Sequence, residues 1–327
     1  MPCRAWIAWA RGRKIESATA ERMTRGALHL PGGRAVRFEL PRPALGISRL
    51  RLDDLLAKRA SGAGADVRFG ARVVGAWPHD SGFRVRFVFR QEESEVHTRA
   101  VIGAWGRWDA LDRAFERRFL SRRSRFFGWS RDYAPEAAFL QGEVRLYVFG
   151  GGYCGLSRVE GGAINLAGIV SENVRARAGR GWEALLTRAR RGNRALDADL
   201  SKLSPGPIGF LGTGPVFFTA KPPTEDGILM AGDAAGVLDP FSGEGQAAAL
   251  ASGILAAETA ERHLSGELSR EECARAYSAA WRRRFARRFA WSAAFRRLIL
   301  NPWIGAIAGR LVGERLVRFA IRASSGE

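Results

Sequence analysis

One segment, from Asp226 to Glu258, constrains the fold more than any other part of the chain. It starts with the apolar run Ile228 to Ala231, which has the length of a buried strand. Gly232 and Asp233 end that run, and small residues follow them. The segment closes with an Ala- and Leu-rich stretch of high helix propensity. This order predicts a strand, a carboxylate at its end, a turn and a helix.

The turn before the helix is as specific as the strand. Pro240 cannot continue a strand or a helix, and the triplet Gly243-Glu244-Gly245 follows it. A helix that begins at glycines presents bare N–H groups and a positive dipole end to an anion or a polarised ring. The ionised carboxylate of Asp233 can only accept hydrogen bonds, so it suits the hydroxyls of a polyol. An Ala-rich core helix behind an ordinary loop is the alternative interpretation.

This segment resembles the second FAD motif of the flavoproteins that include p-hydroxybenzoate hydroxylase and geranylgeranyl reductase. The resemblance implies that Asp233 contacts the ribityl chain of FAD, with the proline and glycines near the isoalloxazine ring and pyrophosphate. The residues that it assigns to the cofactor are Gly232, Asp233, Pro240, Gly243, Glu244 and Gly245.

A second stretch supports the resemblance. Arg49, Leu52 and Leu56 match the Arg-x-x-Leu-x-x-x-Leu pattern of this group, in which the arginine approaches the flavin phosphates or ribityl. A guanidinium offers paired donors and a permanent charge to a diphosphate. The alternative is an arginine that faces solvent at the start of a helix.

Two features depart from the family pattern. The group begins with a strand, Gly-x-Gly-x-x-Gly and a helix, but the first Gly-x-Gly here is Gly62-Ala63-Gly64, which follows a predicted helix. We therefore expect a FAD-binding fold that is incomplete at its N-terminus. We favour a late start or a truncation over the alternative that the AMP-binding half is supplied elsewhere. The returning strand, usually Ile-Gly-Ala-Asp-Gly, has Trp105 in the Asp position and Asp109 in the Ser position. Because the resemblance links that Asp to the handling of pyridine nucleotide, NAD(P)H as the electron donor stays an open alternative.

The stretch Gly152 to Arg158 is similar to the geranylgeranyl-reductase segment Gly-Tyr-x-Trp-x-Phe-Pro, which lies over the flavin. Tyr153 matches the aromatic residue, but Gly155 replaces the Trp, so isoprenoid specificity does not transfer. Tyr153 and Cys154 are the candidate catalytic or cavity-lining residues. A buried cysteine that acts as a small hydrophobe is the alternative for Cys154.

The composition argues against a nucleic-acid-binding protein, a metal-binding protein and a membrane-spanning protein. Net charge is +19, but only four of the 52 basic residues are lysines, which fits an Arg-rich genome better than a nucleic-acid surface. No nucleic-acid-binding module is recognisable. The three cysteines and four histidines show no metal or disulfide spacing, which favours a reducing cytoplasm and no metal site. No apolar run reaches transmembrane length.

The region 269–327 is predicted to be helical, with aromatic residues on one face and arginines beside them. Such a helix can lie on an anionic membrane or cap its own domain. We favour the cap and keep peripheral membrane contact as an open alternative.

Together these patterns predict an α/β protein with a glutathione-reductase-like FAD-binding fold, an antiparallel substrate-domain sheet and C-terminal helices. The resemblance covers roughly residues 45–265. The expected divisions are a partial FAD-binding domain with a β-meander (1–115), a substrate-binding sheet (116–222), a returning FAD-binding segment (223–265) and a helical region (266–327).

The expected function is that of a cytoplasmic FAD-dependent oxidoreductase, either a reductase or a monooxygenase, acting on a small apolar organic substrate. The flavin would carry the electrons while the protein supplies binding and orientation. Halogenation is not expected, because the Trp-x-Trp-x-Ile-Pro signature of halogenases is absent. A non-catalytic flavoprotein remnant, or a binding protein that depends on a partner, is the alternative class.

Overall fold

A computed structural model describes residues 20–136, 138–179 and 181–300, apart from the side chains of Ser242 and Ile299. Within these residues the strands are β1 (Glu21–His29), β2 (Ala35–Gly46), β3 (Arg72–His79), β4 (Gly82–Phe89), β5 (Glu92–Thr98), β6 (Ile102–Gly103), β7 (Phe126–Tyr133), β8 (Glu143–Phe149), β9 (Gly152–Arg158), β10 (Ile164–Ser171), β11 (Leu211–Pro215), β12 (Thr224–Glu225) and β13 (Ile228–Met230). The α-helices are α1 (Arg49–Gly62), α2 (Ala110–Ala114), α3 (Glu172–Arg177), α4 (Trp182–Gly192), α5 (Arg194–Leu200), α6 (Gly245–Leu264) and α7 (Arg270–Leu300).

The largest sheet has seven strands in the order β11-β7-β10-β9-β8-β1-β2. Its neighbouring strands are antiparallel except β1 and β8, which run parallel. The strands β1 and β2 belong to this sheet although they precede α1 in the chain, so residues 21–46 pair with the strands of a later part of the sequence. The predicted boundary at residue 115 does not anticipate that pairing, and the domain divisions stay a prediction.

A short sheet carries the beginning of the predicted FAD motif. Its central strand β13 pairs in parallel with β6 and antiparallel with β12. None of the described strands pairs with the other edge of β6. The meander β3-β4-β5 packs beside this sheet, with Ala76 and Phe83 in one buried cluster with Ile228.

The two largest hydrophobic clusters of the described residues lie in different parts of the structure. The sheet core lies between one face of the seven-stranded sheet and helices α4 and α5, whose Leu185, Ala189 and Leu196 are buried there with Tyr147 and Leu156. The second core, which we call the motif core, lies where β13 meets α6 and α7.

Helix α7 shows the aromatic face that its sequence predicts. Tyr277, Trp281 and Phe285 are buried in the motif core, whereas Arg282 and Arg283 are exposed on the opposite side. The helix therefore covers its own domain with its apolar face. In the part of the chain that the structure describes, no helix combines the length and apolar character needed to cross a membrane.

Candidate functional site

The Gly-Asp turn directly follows β13, where the sequence predicts it. Gly232 to Ala234 forms a single 3-10 turn, and Gly232 has a φ of 60°. A Cβ at Gly232 would lie 3.1 Å from the Cβ of Ala249 on α6, so the strand end and the helix approach closely. The Gly232 amide donates a 2.8 Å hydrogen bond to Oγ of Ser252, which also lies on α6. The turn is thus fixed against the helix that follows it.

The carboxylate of Asp233 accepts no hydrogen bond from any side chain or amide of the described residues. Burial raises the pKa of Asp233, and the positive charges of Arg107, Lys221 and Arg49 oppose that increase. Asp233 is half-buried, and a carboxylate that no described donor reaches is available to accept hydrogen bonds from the hydroxyl or amide groups of a bound molecule. Asp233 therefore has the character that a polyol-binding carboxylate needs.

The N-terminus of α6 has no capping side chain among the described residues and has free space around its glycines, as the glycines in the sequence predict. Gly243 is left-handed with a φ of 69°, and Glu244 at the N-cap makes no side-chain capping hydrogen bond. A Cβ at Gly243 or Gly245 would meet no atom within 4 Å. The N–H groups of the first helical turn consequently lack a capping side chain, and space surrounds the two glycines.

Pro240 and Glu244 frame this opening. Pro240 is exposed and begins a 3-10 turn, Pro240–Ser242, that is capped by Asp239. Glu244 lies 3.9 Å from Arg288 on α7. The structure thus brings the predicted motif residues 232–245 into one strand–turn–helix unit.

Arg49 begins α1, which Ser48 caps by accepting a hydrogen bond from the Arg51 amide. The Arg49 guanidinium is exposed and pairs with Asp53 at 3.0 Å. Its charge is nevertheless close enough to oppose the raised pKa of Asp233. Arg49 is therefore placed where an anionic ligand of the Gly-Asp turn can reach it, and its predicted phosphate contact stays a prediction.

The structure separates the two candidate residues of β9. Tyr153 is buried with Phe241 and Ile169 on one face of the sheet. Cys154 is buried on the opposite face, inside the sheet core, where burial raises the pKa of its thiol. The thiol is therefore neutral at physiological pH and is not on the same face as Tyr153.

Tyr153 leads to a residue that the sequence analysis did not select. Its hydroxyl donates a short hydrogen bond to Oδ1 of Asp239, which also accepts from the Phe241 amide at 3.1 Å. Arg296 of α7 lies 3.3 Å from the other carboxylate oxygen. Burial raises the pKa of both Tyr153 and Asp239. The Asp-Pro pair at the start of a turn was the only available sequence signal for Asp239.

Aromatic rings line the Tyr153 face of the sheet. The ring of Phe241 lies 5.4 Å from that of Tyr153 and 4.4 Å from that of Phe295 on α7. The rings of Phe126 and Phe218 lie beside them, tilted against each other with centroids 5.5 Å apart, and the guanidinium of Arg296 lies over both. We call Tyr153, Phe241, Phe295, Phe126 and Phe218 the aromatic wall.

Trp105, which takes the family's Asp position, is a packing residue here. Its ring stacks on Phe115 at 6.0 Å and covers β6, because a Cβ on Gly103 would lie 2.2 Å from it. The structure therefore has a tryptophan ring where the family pattern has a carboxylate, as the sequence indicates.

The similarity of this chain to known proteins agrees with this geometry. No protein-family model matches the chain. In sequence it is 26% identical over 263 residues to digeranylgeranylglycerophospholipid reductase of Methanosarcina acetivorans, a match that covers 72% of this chain and 58% of that protein. The chain thus spans less than two thirds of the length of this relative.

The solved structures that resemble it share its fold. The myxobacterial chondrochloren halogenase CndH, an FAD-dependent halogenase, has a TM-score of 0.77 at 18% identity, covering 98% of this chain and 78% of the halogenase. A geranylgeranyl bacteriochlorophyll reductase-like protein of Thermoplasma acidophilum scores 0.75 at 18% identity, covering 94% and 80%. PqsL of Pseudomonas aeruginosa, described as a probable FAD-dependent monooxygenase, scores 0.71 at 18% identity, covering 93% and 86%.

The chain therefore has the fold of the FAD-dependent oxidoreductases, and the predicted resemblance to the group that includes the geranylgeranyl reductases is confirmed. The predicted fold class is also confirmed, including the antiparallel sheet. Helix α7 supplies the first part of the predicted C-terminal helical region, and the part predicted beyond residue 300 lies outside the described residues. At these identities the structural likeness to halogenases concerns the fold alone.

Proposed function

We propose that this chain binds FAD and acts as an oxidoreductase that reduces a small apolar organic substrate. The observation that carries the proposal is the Asp233 carboxylate, which has no hydrogen-bond donor among the described residues. It stands at the end of a strand, in the same short unit as the uncapped start of a 20-residue helix. A ligand that offers hydroxyl donors and an anionic group satisfies both features at once.

The residues present fit FAD. Asp233 would accept hydrogen bonds from the ribityl hydroxyls, and the first turn of α6 would donate to the pyrophosphate or to the polarised edge of the ring. The open space at Gly243 and Gly245 permits close approach of a ligand to the backbone. Arg49 would add a cation beside the phosphates. When bound, FAD supplies a two-electron carrier that the side chains alone do not provide.

The aromatic wall supports an apolar substrate. The partly buried rings of Phe126, Phe218 and Phe295 would offer apolar contact, while the buried Tyr153 hydroxyl is held by Asp239 and so is not turned toward a substrate. The raised pKa of Tyr153 keeps its proton on the phenol oxygen. Reduction is favoured over hydroxylation by the sequence similarity to a reductase, since the likeness to PqsL concerns the fold alone.

The absorbance spectrum of the purified chain tests FAD binding. We expect bound flavin in the wild type, released as FAD on denaturation, and its loss in Asp233→Ala. The matched control is Asp66→Ala, since Asp66 is exposed and pairs only with Arg68 at the surface. A yellow Asp233→Ala protein with unchanged FAD affinity would remove the basis of the assignment.

A second measurement separates the reaction types and tests the electron donor. Flavin in the wild type is reduced anaerobically by NADPH or, if that fails, by dithionite. We expect the reduced protein to convert an alkene-containing apolar substrate without oxygen. Turnover that requires oxygen and yields a hydroxylated product would instead establish a monooxygenase.

A further inference from the structure

Lys221 is a buried amine that the proposed chemistry does not use. It lies between β11 and β12, and its residue is only 3% exposed. Its Nζ donates a short hydrogen bond to the carbonyl of Arg107 and a 2.9 Å hydrogen bond to the carbonyl of Asp233. The ammonium also stands 4.1 Å from the ring centroid of Phe119. Among the described residues, no carboxylate forms an ion pair with it.

Burying an ammonium without a carboxylate partner costs free energy, so the presence of a lysine at this buried position calls for a structural or functional reason. Burial lowers the pKa of Lys221 to about 8, while Asp112 and Asp233 act to raise it and Arg117 and Arg107 act to lower it. Both acceptors are backbone carbonyls. One belongs to the loop after β6, and the other belongs to the residue assigned to the ribityl chain.

The next carbonyl of the turn, that of Ala234, also accepts a hydrogen bond from a buried basic side chain. Arg117 is also buried, and its Nη1 donates to the carbonyl of Ala234 at 2.8 Å. The Lys221 amide donates to the carbonyl of Ala235 at 2.9 Å. Three successive carbonyls of the turn, at residues 233–235, are thus fixed by donors from Lys221 and Arg117. Fixed peptide planes fix the direction in which the Asp233 side chain leaves the backbone.

We propose that Lys221 is a positioning residue that joins the loop after β6 to the Gly-Asp turn and so presets Asp233 for the flavin. This inference rests on the proposed function, because it assigns the turn to the cofactor. The compact ammonium suits the task, since it reaches two carbonyls and one aromatic face within a closed space.

The variant Lys221→Met tests the inference, because it keeps an unbranched apolar side chain that is one atom shorter and removes all three N–H donors. Its control is Lys202→Met, whose side chain is 63% exposed. Hydrogen–deuterium exchange is measured over residues 228–236 and, for comparison, over β8 and β9. FAD affinity is measured by titration of the same proteins between pH 6.5 and 9.5.

We expect the Gly-Asp turn of Lys221→Met to exchange about tenfold faster or more, the effect of losing a charge-assisted hydrogen bond. Exchange in β8 and β9 should stay at the wild-type rate. The dissociation constant for FAD should rise about tenfold. In the wild type, affinity should weaken as the pH rises through about 8, where the ammonium loses its proton. That step should be absent from Lys221→Met and retained in Lys202→Met.

Several results overturn the inference. Unchanged exchange of the turn with unchanged FAD affinity would do so, as would faster exchange spread equally over the whole chain. If Lys221→Met does not fold, Lys221→Gln, which keeps a donor, replaces it, and failure of both to fold shows a core role alone. A fast-exchanging turn in a chain whose wild type binds no FAD would refute the proposed function while leaving the Lys221 contact intact.

Discussion

The buried ion pair between Arg117 and Asp112 gives the sharpest test of how the Gly-Asp turn is supported. The two side chains are 3.0 Å apart, and both are fully buried. Arg117 also donates to the carbonyls of Ala234 at 2.8 Å and Pro222 at 2.7 Å. Asp112 caps α2 by accepting a 2.8 Å hydrogen bond from the Asp109 amide. One cation therefore ties α2 to the turn.

Replacing Arg117 by methionine keeps much of the apolar stem but leaves the Asp112 carboxylate buried without its cation. Breaking a buried pair in this way costs about 3–5 kcal/mol. The two carbonyls also lose their donor, so we expect the upper half of that range, about 4–5 kcal/mol, in the free energy of unfolding. That is a large part of the roughly 5–15 kcal/mol by which domains are stable.

Adding Asp112→Asn to the Arg117→Met variant should recover part of this loss. Asparagine carries no charge, yet its side-chain oxygen still accepts from the Asp109 amide. The double variant should therefore be less destabilised than the sum of the singles, by about 2 kcal/mol.

Urea unfolding followed by tryptophan fluorescence and by circular dichroism measures all four members of the cycle. Arg190→Met is the control, because Arg190 pairs with Asp197 at the surface, and its effect should stay within about 1 kcal/mol. An Arg117→Met variant as stable as this control would refute the reasoning, and so would strictly additive single effects.

Two further predictions concern backbone space and pH. Gly46→Ala should prevent stable folding, because its Cβ would lie 1.9 Å from the carbonyl oxygen of Arg158, whereas Gly253→Ala on α6, where a Cβ meets nothing within 4 Å, should stabilise the protein by about 0.5–1 kcal/mol. Thermal unfolding of both variants measures these effects. A stable Gly46→Ala protein would contradict the observed geometry of β2. Burial, the largest cause, lowers the pKa of His29 below its usual 6.5 despite the nearby carboxylates. Above pH 6.5 the histidine is neutral in both the folded and the unfolded chain, so the folded state has its full stability. As the pH falls below that value, the unfolded chain takes up a proton more readily than the folded chain, and stability is lost. Urea unfolding between pH 7 and 5 should therefore show a smaller loss of stability for His29→Phe than for the wild type or for the exposed control His97→Phe; equal slopes in all three would show that His29 is not responsible.

The strand–turn–helix unit was predictable because its determinants are local. The apolar run 228–231 corresponds to β13, Ile228–Met230, and the helix predicted to open at Gly243-Glu244-Gly245 is α6, which begins at Gly245. Pro240 and the glycines act through the backbone itself, so their effect does not depend on distant partners.

The supporting contacts were not predictable, because they join residues far apart in sequence. The hydroxyl of Tyr153 meets a carboxylate 86 positions later, and Lys221 meets a carbonyl 114 positions earlier. No periodicity indicates such pairs. The separation of Tyr153 from Cys154 is different, since consecutive residues of a strand point to opposite faces, and that rule was available from the sequence.

The placement of the cysteines has a practical consequence for following how this chain opens. Cys154 lies in the sheet core and Cys273 in the motif core, and both are buried. A thiol reagent reaches either sulfur only when its own core opens. With Cys3 replaced by serine, the labelling rates at the two sites report separately on the opening of the sheet core and on the opening of the motif core, which adjoins the Gly-Asp turn. Equal rates would mean that the two cores open together, and a faster rate at Cys273 would mean that the motif core opens first.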